Sequence, residues 1–220
     1  MTARAALVFD FDGTVLDTEV PVYQGWAELY EANGEVLELA FWQTLLGTDS
    51  GFDPAADLAA RLGRALDDHE LAARRARRDE LLHANLVRDG VVSWLDAADE
   101  LDVPAAIASS SPSDWVDHHL ARLELLPRFA FVACAGDGLP PKPDPAVYLA
   151  ACDAVGADPR RSVAVEDSPN GITAAKAAGL FTVAVPHALT EALDLSAADV
   201  VLPTLADLPL ADALRRAASS

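Results

Sequence analysis

Positive charge is what this chain has least of. Sixteen lysines and arginines face 35 aspartates and glutamates, a formal charge of -19 over 220 residues. A surface of that sign repels phosphate backbones, so nucleic-acid binding is excluded without a strong local basic patch. It also repels small anions at long range, so a chain like this that handles phosphates needs a local cation. Cysteine is nearly absent too. Cys134 and Cys152 give neither a zinc spacing nor a disulfide framework, and read as buried free thiols in a reducing compartment. No apolar run approaches the roughly 18 residues of a membrane span. The N-terminal MTARAALVFDFDG is apolar only briefly before acids break it, unlike a signal peptide. The expectation is a soluble, cytoplasmic protein with no membrane or nucleic-acid partner, and a monomer is favoured. No GxGxxG follows the first apolar run, which argues against a dinucleotide-binding oxidoreductase.

Apolar residues, in contrast, make up 51% of the chain, enough for a sizeable core. They come in short runs: AALVF (5–9), VPAAIA (103–108), FAFVACA (129–135), SVAVE (162–166), FTVAV (181–185) and DVVL (199–202). None alternates cleanly, which is how strands buried on both faces read. Helical spacing lies between them at 91–101, 114–126 and 168–180, the last with Ser168 as a candidate cap. Strand alternating with helix predicts an α/β fold with a doubly wound parallel sheet, a Rossmann-like core. Residues 18–88 interrupt that rhythm with helical patterns alone. They are read as an inserted α-helical cap, leaving 1–17 plus 89–220 as the core.

In open α/β sheets, ligands sit beyond the carboxyl ends of the strands. After the first run come Asp10 and Asp12, which an extended backbone aims the same way. Ser109, Ser110 and Ser111 follow the second, GDGLPPKPDP with Lys142 follows the third, and Glu166 with Asp167 follow the fourth. Singly, these are cap and turn residues. Together they bring carboxylates, hydroxyls and one cation to one rim. Clustered carboxylates are costly unless protonated or bridged by a cation, and oxygen-only ligands favour Mg²⁺. An aspartate beside such a metal suits phosphoryl transfer, with Asp10 attacking phosphorus and Asp12 as acid, then base. Ser109 could donate to a phosphoryl oxygen, with Ser110 and Ser111 as further substrate contacts, and Lys142 could balance charge in the transition state.

DFDGT (10–14), Ser109 after an apolar strand, KPDP (142–145) and EDSPNG (166–171) resemble, in order and spacing, the four motifs of the haloacid dehalogenase superfamily. The helical insertion resembles the cap of its subfamily of β-phosphoglucomutases, phosphoglycolate phosphatases and sugar phosphatases. The resemblance implies Asp10 as nucleophile and Mg²⁺ ligand, and Asp12 as acid/base with its backbone carbonyl on the metal. Ser109 would bind the phosphoryl group and Lys142 neutralise it. Asp167 would ligate the metal, Glu166 would ligate it or hold a metal-bound water, and Gly13 and Thr14 would begin the turn into the cap. Asp12 argues against the dehalogenases, which lack the second aspartate. The lack of lysine over 18–60 argues against phosphonatases. Val22 and Ser50 stand near the places of a mutase's cap histidine and arginine, which favours hydrolysis over mutase chemistry. The expected activity is a Mg²⁺-dependent phosphatase, a phosphoric monoester hydrolase, acting on a small phosphorylated metabolite such as a sugar phosphate. A phosphomutase and a non-catalytic phosphometabolite binder are the alternatives.

Thr18 and Glu19, with Tyr23, could face the cleft, as could Gly47 in the loop LLGTDSG (45–51). ARRARRDE (73–80) reads as a solvated basic face, its acids pairing at helical spacing. Trp26 and Trp42 read as cap-core residues, and Asn170 and Gly171 as turn formers.

Overall fold

The computed structural model describes residues 4–46 and 51–219. Each of the six apolar runs supplies one strand: β1 (Leu7–Phe9), β2 (Ala105–Ser109), β3 (Phe131–Cys134), β4 (Val163–Glu166), β5 (Phe181–Ala184) and β6 (Val200–Val201). They form one parallel sheet in the order β3-β2-β1-β4-β5-β6. Nine helices are described: α1 (Glu19–Ala32), α2 (Leu39–Gln43), α3 (Pro54–Leu62), α4 (Asp68–Ala84), α5 (Val91–Glu100), α6 (Ser113–Arg122), α7 (Ala146–Ala154), α8 (Pro169–Ala178) and α9 (Leu210–Ala217). The first four lie between β1 and the rest of the core, as an inserted helical cap. Neither α7 nor α9 falls in the helical spacing at 91–101, 114–126 and 168–180.

The strands do alternate, though in size rather than polarity. Leu7, Phe9, Ile107, Val163, Val165 and Val183 face α5, α6 and α9 in one cluster. Val8, Ala106, Ala108, Ala133 and Ala164 face α7 and α8 in the other. Alanine on the strands meets Ala151, Ala174 and Ala175 on the helices, so these layers approach closely. The bulky face supplies most of the hydrophobic driving force, about 1.5–3 kcal/mol for each large side chain fully buried.

Capping residues set the helix ends. Asp53 accepts from the backbone of Ala55 and Ala56 and Gly63 closes α3 in the left-handed region, while Asp67 and Glu70 form a reciprocal capping box on α4. Ser168 caps α8 by accepting from Gly171 N–H, as its sequence position suggests. The cap has its own core of Trp26, Leu29, Tyr30, Leu37, Trp42, Leu46 and Leu58. Leu189, from the loop after β5, seats in that cluster, and the Gln43 side chain donates to Leu189 O at 2.9 Å. Gln43 and Leu189 thus join cap to core, as does Asn85, whose side chain donates to Asp17 O at 2.7 Å.

β1 lies between β2 and β4, so the chain leaves it in opposite directions on its two sides. The carboxyl ends of β1 and β4 define the crevice where ligands bind in such sheets.

Candidate active site

Asp10 follows β1 and is fixed in register by its own N–H, which donates to Val165 O at 2.9 Å. Glu166 is the last residue of β4, and Asp167 follows it. One oxygen or more from each of Asp10, Glu166 and Asp167 falls within 4.8 Å of the others, and all three are buried. Lys142 reaches into the group from the loop after β3. Its Nζ donates to Asp10 Oδ1 at 2.5 Å and to Glu166 Oε1 at 2.6 Å, and lies over the Tyr148 ring.

Glu166 is the most enclosed of the four. Tyr148 OH donates to its Oε1 at 2.6 Å, and the Asp167 and Ser168 N–H groups donate to Oε2. The carboxylate therefore sits under the N-terminus of α8, where backbone donors and the helix dipole favour an anion. Gly171 makes that possible, because a Cβ there would fall 1.9–2.0 Å from the Glu166 carboxyl atoms. The residue read as a turn former is thus a steric requirement of the site. Gly13 is the second case. At φ +84° it takes a left-handed turn, and a Cβ would meet Asp167 Oδ2 at 2.5 Å and His187 Nε2 at 2.9 Å.

Three carboxylates share one ammonium, so the buried site carries excess negative charge. Burial pushes the Asp10 carboxyl well up, Lys142 pulls it back, and Glu166, Asp167 and Asp12 push it up again. Burial also raises Asp167, opposed by the His187 hydrogen bond. For Lys142, burial alone would lower the ammonium, but Asp10 and Glu166 outweigh it and hold the proton firmly. Asp10 Oδ2 is buried and has no hydrogen-bond partner among the described residues. A hard divalent cation fits this donor set: oxygens only, excess negative charge and one orphaned acceptor.

Asp12 stands outside that cluster, in different company. Trp115 Nε1 donates to Oδ1 at 2.9 Å and Thr18 Oγ1 to the same oxygen at 2.8 Å. Ser111 Oγ donates to Oδ2 at 2.6 Å, with Ser109 Oγ further off at 3.5 Å. Ser109 accepts from Ser111 N–H at 3.0 Å, and Ser110 Oγ accepts from Lys142 N–H at 3.1 Å, so the serine loop also shapes the lysine loop.

A small cleft of about 60 Å³ is lined by Asp10, Asp12, Glu19, Leu46, Ser109, Ser110, Lys142, Asp167 and Ser168. Of the residues expected to contact substrate, Ser109, Ser110 and Glu19 line it. Thr18 and Ser111 are instead committed to Asp12, and Gly47 lies outside the described residues. Burial, Asp12, Asp167 and Asp17 push the Glu19 carboxyl up to about 8. Tyr23 turns from the cleft, donating to Leu37 O and packing on Trp42.

Four side chains here were missed by sequence reasoning. His187 Nε2 lies 2.9 Å from Asp167 Oδ2. Arg88 donates to the carbonyls of Val185 (2.9 Å), Pro186 (2.7 Å) and Gly13, tying the Asp12 turn to the loop after β5. Tyr148 and Trp115 complete the set. Trp115 falls in an apolar helical pattern, where an aromatic reads as core, and Tyr148 falls on α7, outside the helical patterns read from the sequence. The basic run divides as well: Arg77 pairs with Glu28 and Glu80, while Arg74 and Arg78 lie over the Trp26 and Trp115 rings. Arg77 is thus a paired solvent-face residue, while Arg74 and Arg78 cover aromatic surface, Arg78 also pairing with Asp79.

The crevice, its acids and its cap make an α/β protein with an acidic centre that fits a metal. A family model of haloacid dehalogenase-like hydrolases matches residues 5–179. YhcW of Bacillus subtilis (strain 168), a phosphatase by assignment, is 39% identical over 207 residues, 94% of each chain. The validoxylamine A 7'-phosphate phosphatase of Streptomyces hygroscopicus subsp. limoneus is 30% identical over 203 residues, 91% of this chain and 94% of its own. Among solved structures, CbbY of Rhodobacter sphaeroides in complex with phosphate superposes with a TM-score of 0.72 at 27% identity, covering 96% of this chain and 99% of that one. The chain belongs to the haloacid dehalogenase-like hydrolase family and is an enzyme of its phosphoric monoester hydrolase kind. No helix among the described residues is long and apolar enough to cross a membrane.

Proposed function

We propose that the protein is a Mg²⁺-dependent phosphatase of small phosphorylated metabolites, sugar phosphates among them, working through an aspartyl phosphate on Asp10. The observation that carries this is Asp10 itself. It is buried at the crevice, one oxygen is bound by Lys142, and the other has no partner among the described residues. Asp10, Glu166 and Asp167 would hold the metal, with the backbone carbonyl of Asp12, and the bound ion would offset charge on the phosphoryl oxygens.

Asp10 attacks phosphorus, the bond to the alcohol oxygen breaks, and Asp12 gives that oxygen a proton. Water then attacks phosphorus, Asp12 takes its proton, and the Asp10–phosphorus bond breaks to release phosphate. Ser109 donates to a phosphoryl oxygen. Lys142 holds Asp10 in line and offsets charge on the pentacoordinate transition state. Its two carboxylate partners leave the cleft no spare cation among the described residues, which suits a monophosphate with a neutral polar alcohol. Glu19 and Ser110 would meet that alcohol's hydroxyls. Residues 18–88 act as a cap over the core of 1–17 and 89–220, with Leu46 and Glu19 closing the cleft from the cap side.

Phosphate release from p-nitrophenyl phosphate and a panel of phosphorylated metabolites, with Mg²⁺ and with EDTA, tests this beside Asp10→Asn. Turnover should need the metal and vanish in the variant. Release that persists in Asp10→Asn would overturn the nucleophile assignment. Phosphate retained on a second hydroxyl of the substrate would overturn hydrolysis in favour of transfer.

A further inference from the structure

We infer that Trp115 is a positioning residue for Asp12: its indole N–H fixes Oδ1 and leaves Oδ2 as the oxygen that carries the proton. This rests on the reading of Asp12 as acid and base.

Two donors converge on Oδ1, Trp115 Nε1 at 2.9 Å and Thr18 Oγ1 at 2.8 Å. An indole nitrogen is a donor only and has no lone pair to accept with. It can therefore hold Oδ1 only while that oxygen is unprotonated. Among the described residues the hydrogen-bond partners of Oδ2 are hydroxyls, Ser111 at 2.6 Å and Ser109 at 3.5 Å, and a hydroxyl can donate or accept. A proton on Oδ2 costs no hydrogen bond, whereas a proton on Oδ1 would displace one. As the alcohol departs, the Oδ2–H bond breaks and the proton moves to the alcohol oxygen. As water attacks, a water O–H bond breaks and Oδ2 takes the proton back.

The indole is itself held from several sides. The His119 ring meets it edge-on at 4.3 Å and 72°. His119 stacks in turn on Phe11, the residue between the two aspartates, at 6.3 Å and 28°. The Arg78 guanidinium of cap helix α4 lies 5.6 Å above its ring. A ring so confined can aim one N–H, which is what orienting a freely rotating carboxylate requires.

The test is Trp115→Phe, which keeps an aromatic ring and deletes the N–H, assayed on p-nitrophenyl phosphate and benzyl phosphate. p-Nitrophenolate leaves without a proton, and the benzyl alkoxide does not. kcat/KM for benzyl phosphate should fall roughly tenfold further than for p-nitrophenyl phosphate, a fraction of what general acid catalysis supplies. A purely structural role lowers both alike. An equal fall, or no fall, overturns the inference. Asp12→Asn on the same pair separates the two claims. If it spares benzyl phosphate, the acid/base reading fails first. If it alone discriminates between the substrates, only the role of Trp115 fails. Should Trp115→Phe not fold, the Trp115 indole N–H resonance decides. It should move when Asp12 becomes Asn, and an unmoved resonance overturns the contact.

Discussion

Asp10 and Asp12 lie two residues apart in different surroundings. Asp10 belongs to an ionic region: two further carboxylates, one ammonium and a helix N-terminus, all buried. Asp12 belongs to a neutral region of indole and hydroxyl donors, half-buried at the edge of the cleft. On the proposed mechanism the same side chain is thereby given two tasks. A carboxylate clamped to a lysine beside a metal-fitting cluster is held in place and in line, which is what a nucleophile needs. A carboxylate among neutral donors can gain or lose a proton without breaking an ion pair, which is what an acid and base needs.

The largest effects should come from exchanging the acids for their amides. Asp10→Asn removes the attacking oxygen and should abolish turnover of every substrate. Asp12→Asn keeps the nucleophile and should lower kcat/KM for alkyl phosphates by about 10²–10⁴-fold, the range of general acid–base catalysis. A residual rate equal in the two variants would erase the distinction between the regions.

Stability should follow the same division. Lys142→Met leaves Asp10 and Glu166 buried without their cation, and breaking a buried pair costs about 3–5 kcal/mol. Thr18→Val removes one neutral donor from Asp12, which keeps Trp115 and Ser111, and should cost about 1 kcal/mol. Urea denaturation in EDTA measures both. Equal losses would mean that the ionic region is no more tightly coupled than the neutral one.

How each region appears in the sequence follows from the same chemistry. The ionic region was legible because its residues are polar groups at strand ends: Asp10, Lys142, Glu166 and Asp167 have few other reasons to follow apolar runs. The strands were legible for a related reason, since short valine- and alanine-rich runs suit strands in the middle of a sheet; the edge strands β3 and β6 are only partly buried. The neutral region was half hidden. Thr18 and Ser111 were marked, but as substrate contacts rather than as donors to Asp12. Trp115 sits at an apolar helical position, and nothing in its spacing says that its N–H meets a carboxylate about a hundred residues earlier. Gly171 stands only five residues after Glu166, but its reason is a side chain folded back from β4 onto the start of α8, which spacing along the chain does not show. His187 and Arg88 lie outside every motif, and their roles depend on the loop after β5 returning to the Asp12 turn.

Two titrations give the smaller effects. His119, behind Trp115, is held neutral chiefly by burial, with Arg122 and His118 adding to it, and its pKa is pushed down to about 4 from an ordinary 6.5. Between those values the unfolded chain takes up a proton that the folded chain refuses. Stability should therefore fall as pH drops from 6.5 toward 4, by up to about 3 kcal/mol. His119→Phe should flatten that limb of the stability curve, and an unchanged limb would place the acid sensitivity elsewhere. Glu19 lies between the two regions and titrates in the opposite sense. Pushed up to about 8 by burial, Asp12 and Asp167, it keeps a proton that the unfolded chain has lost above its ordinary 4.5. Its contribution to stability is present below pH 4.5 and is lost as pH rises toward 8. Because the side chain is only partly buried, solvent screening reduces the expected loss to about 1 kcal/mol. Glu19→Gln should therefore narrow the stability difference between pH 5 and pH 8 in metal-free protein. Mg²⁺ would offset Asp167 alone, so adding the metal should bring their curves partly together. Curves that do not move with Mg²⁺ would mean that burial and Asp12, rather than Asp167, set the Glu19 titration.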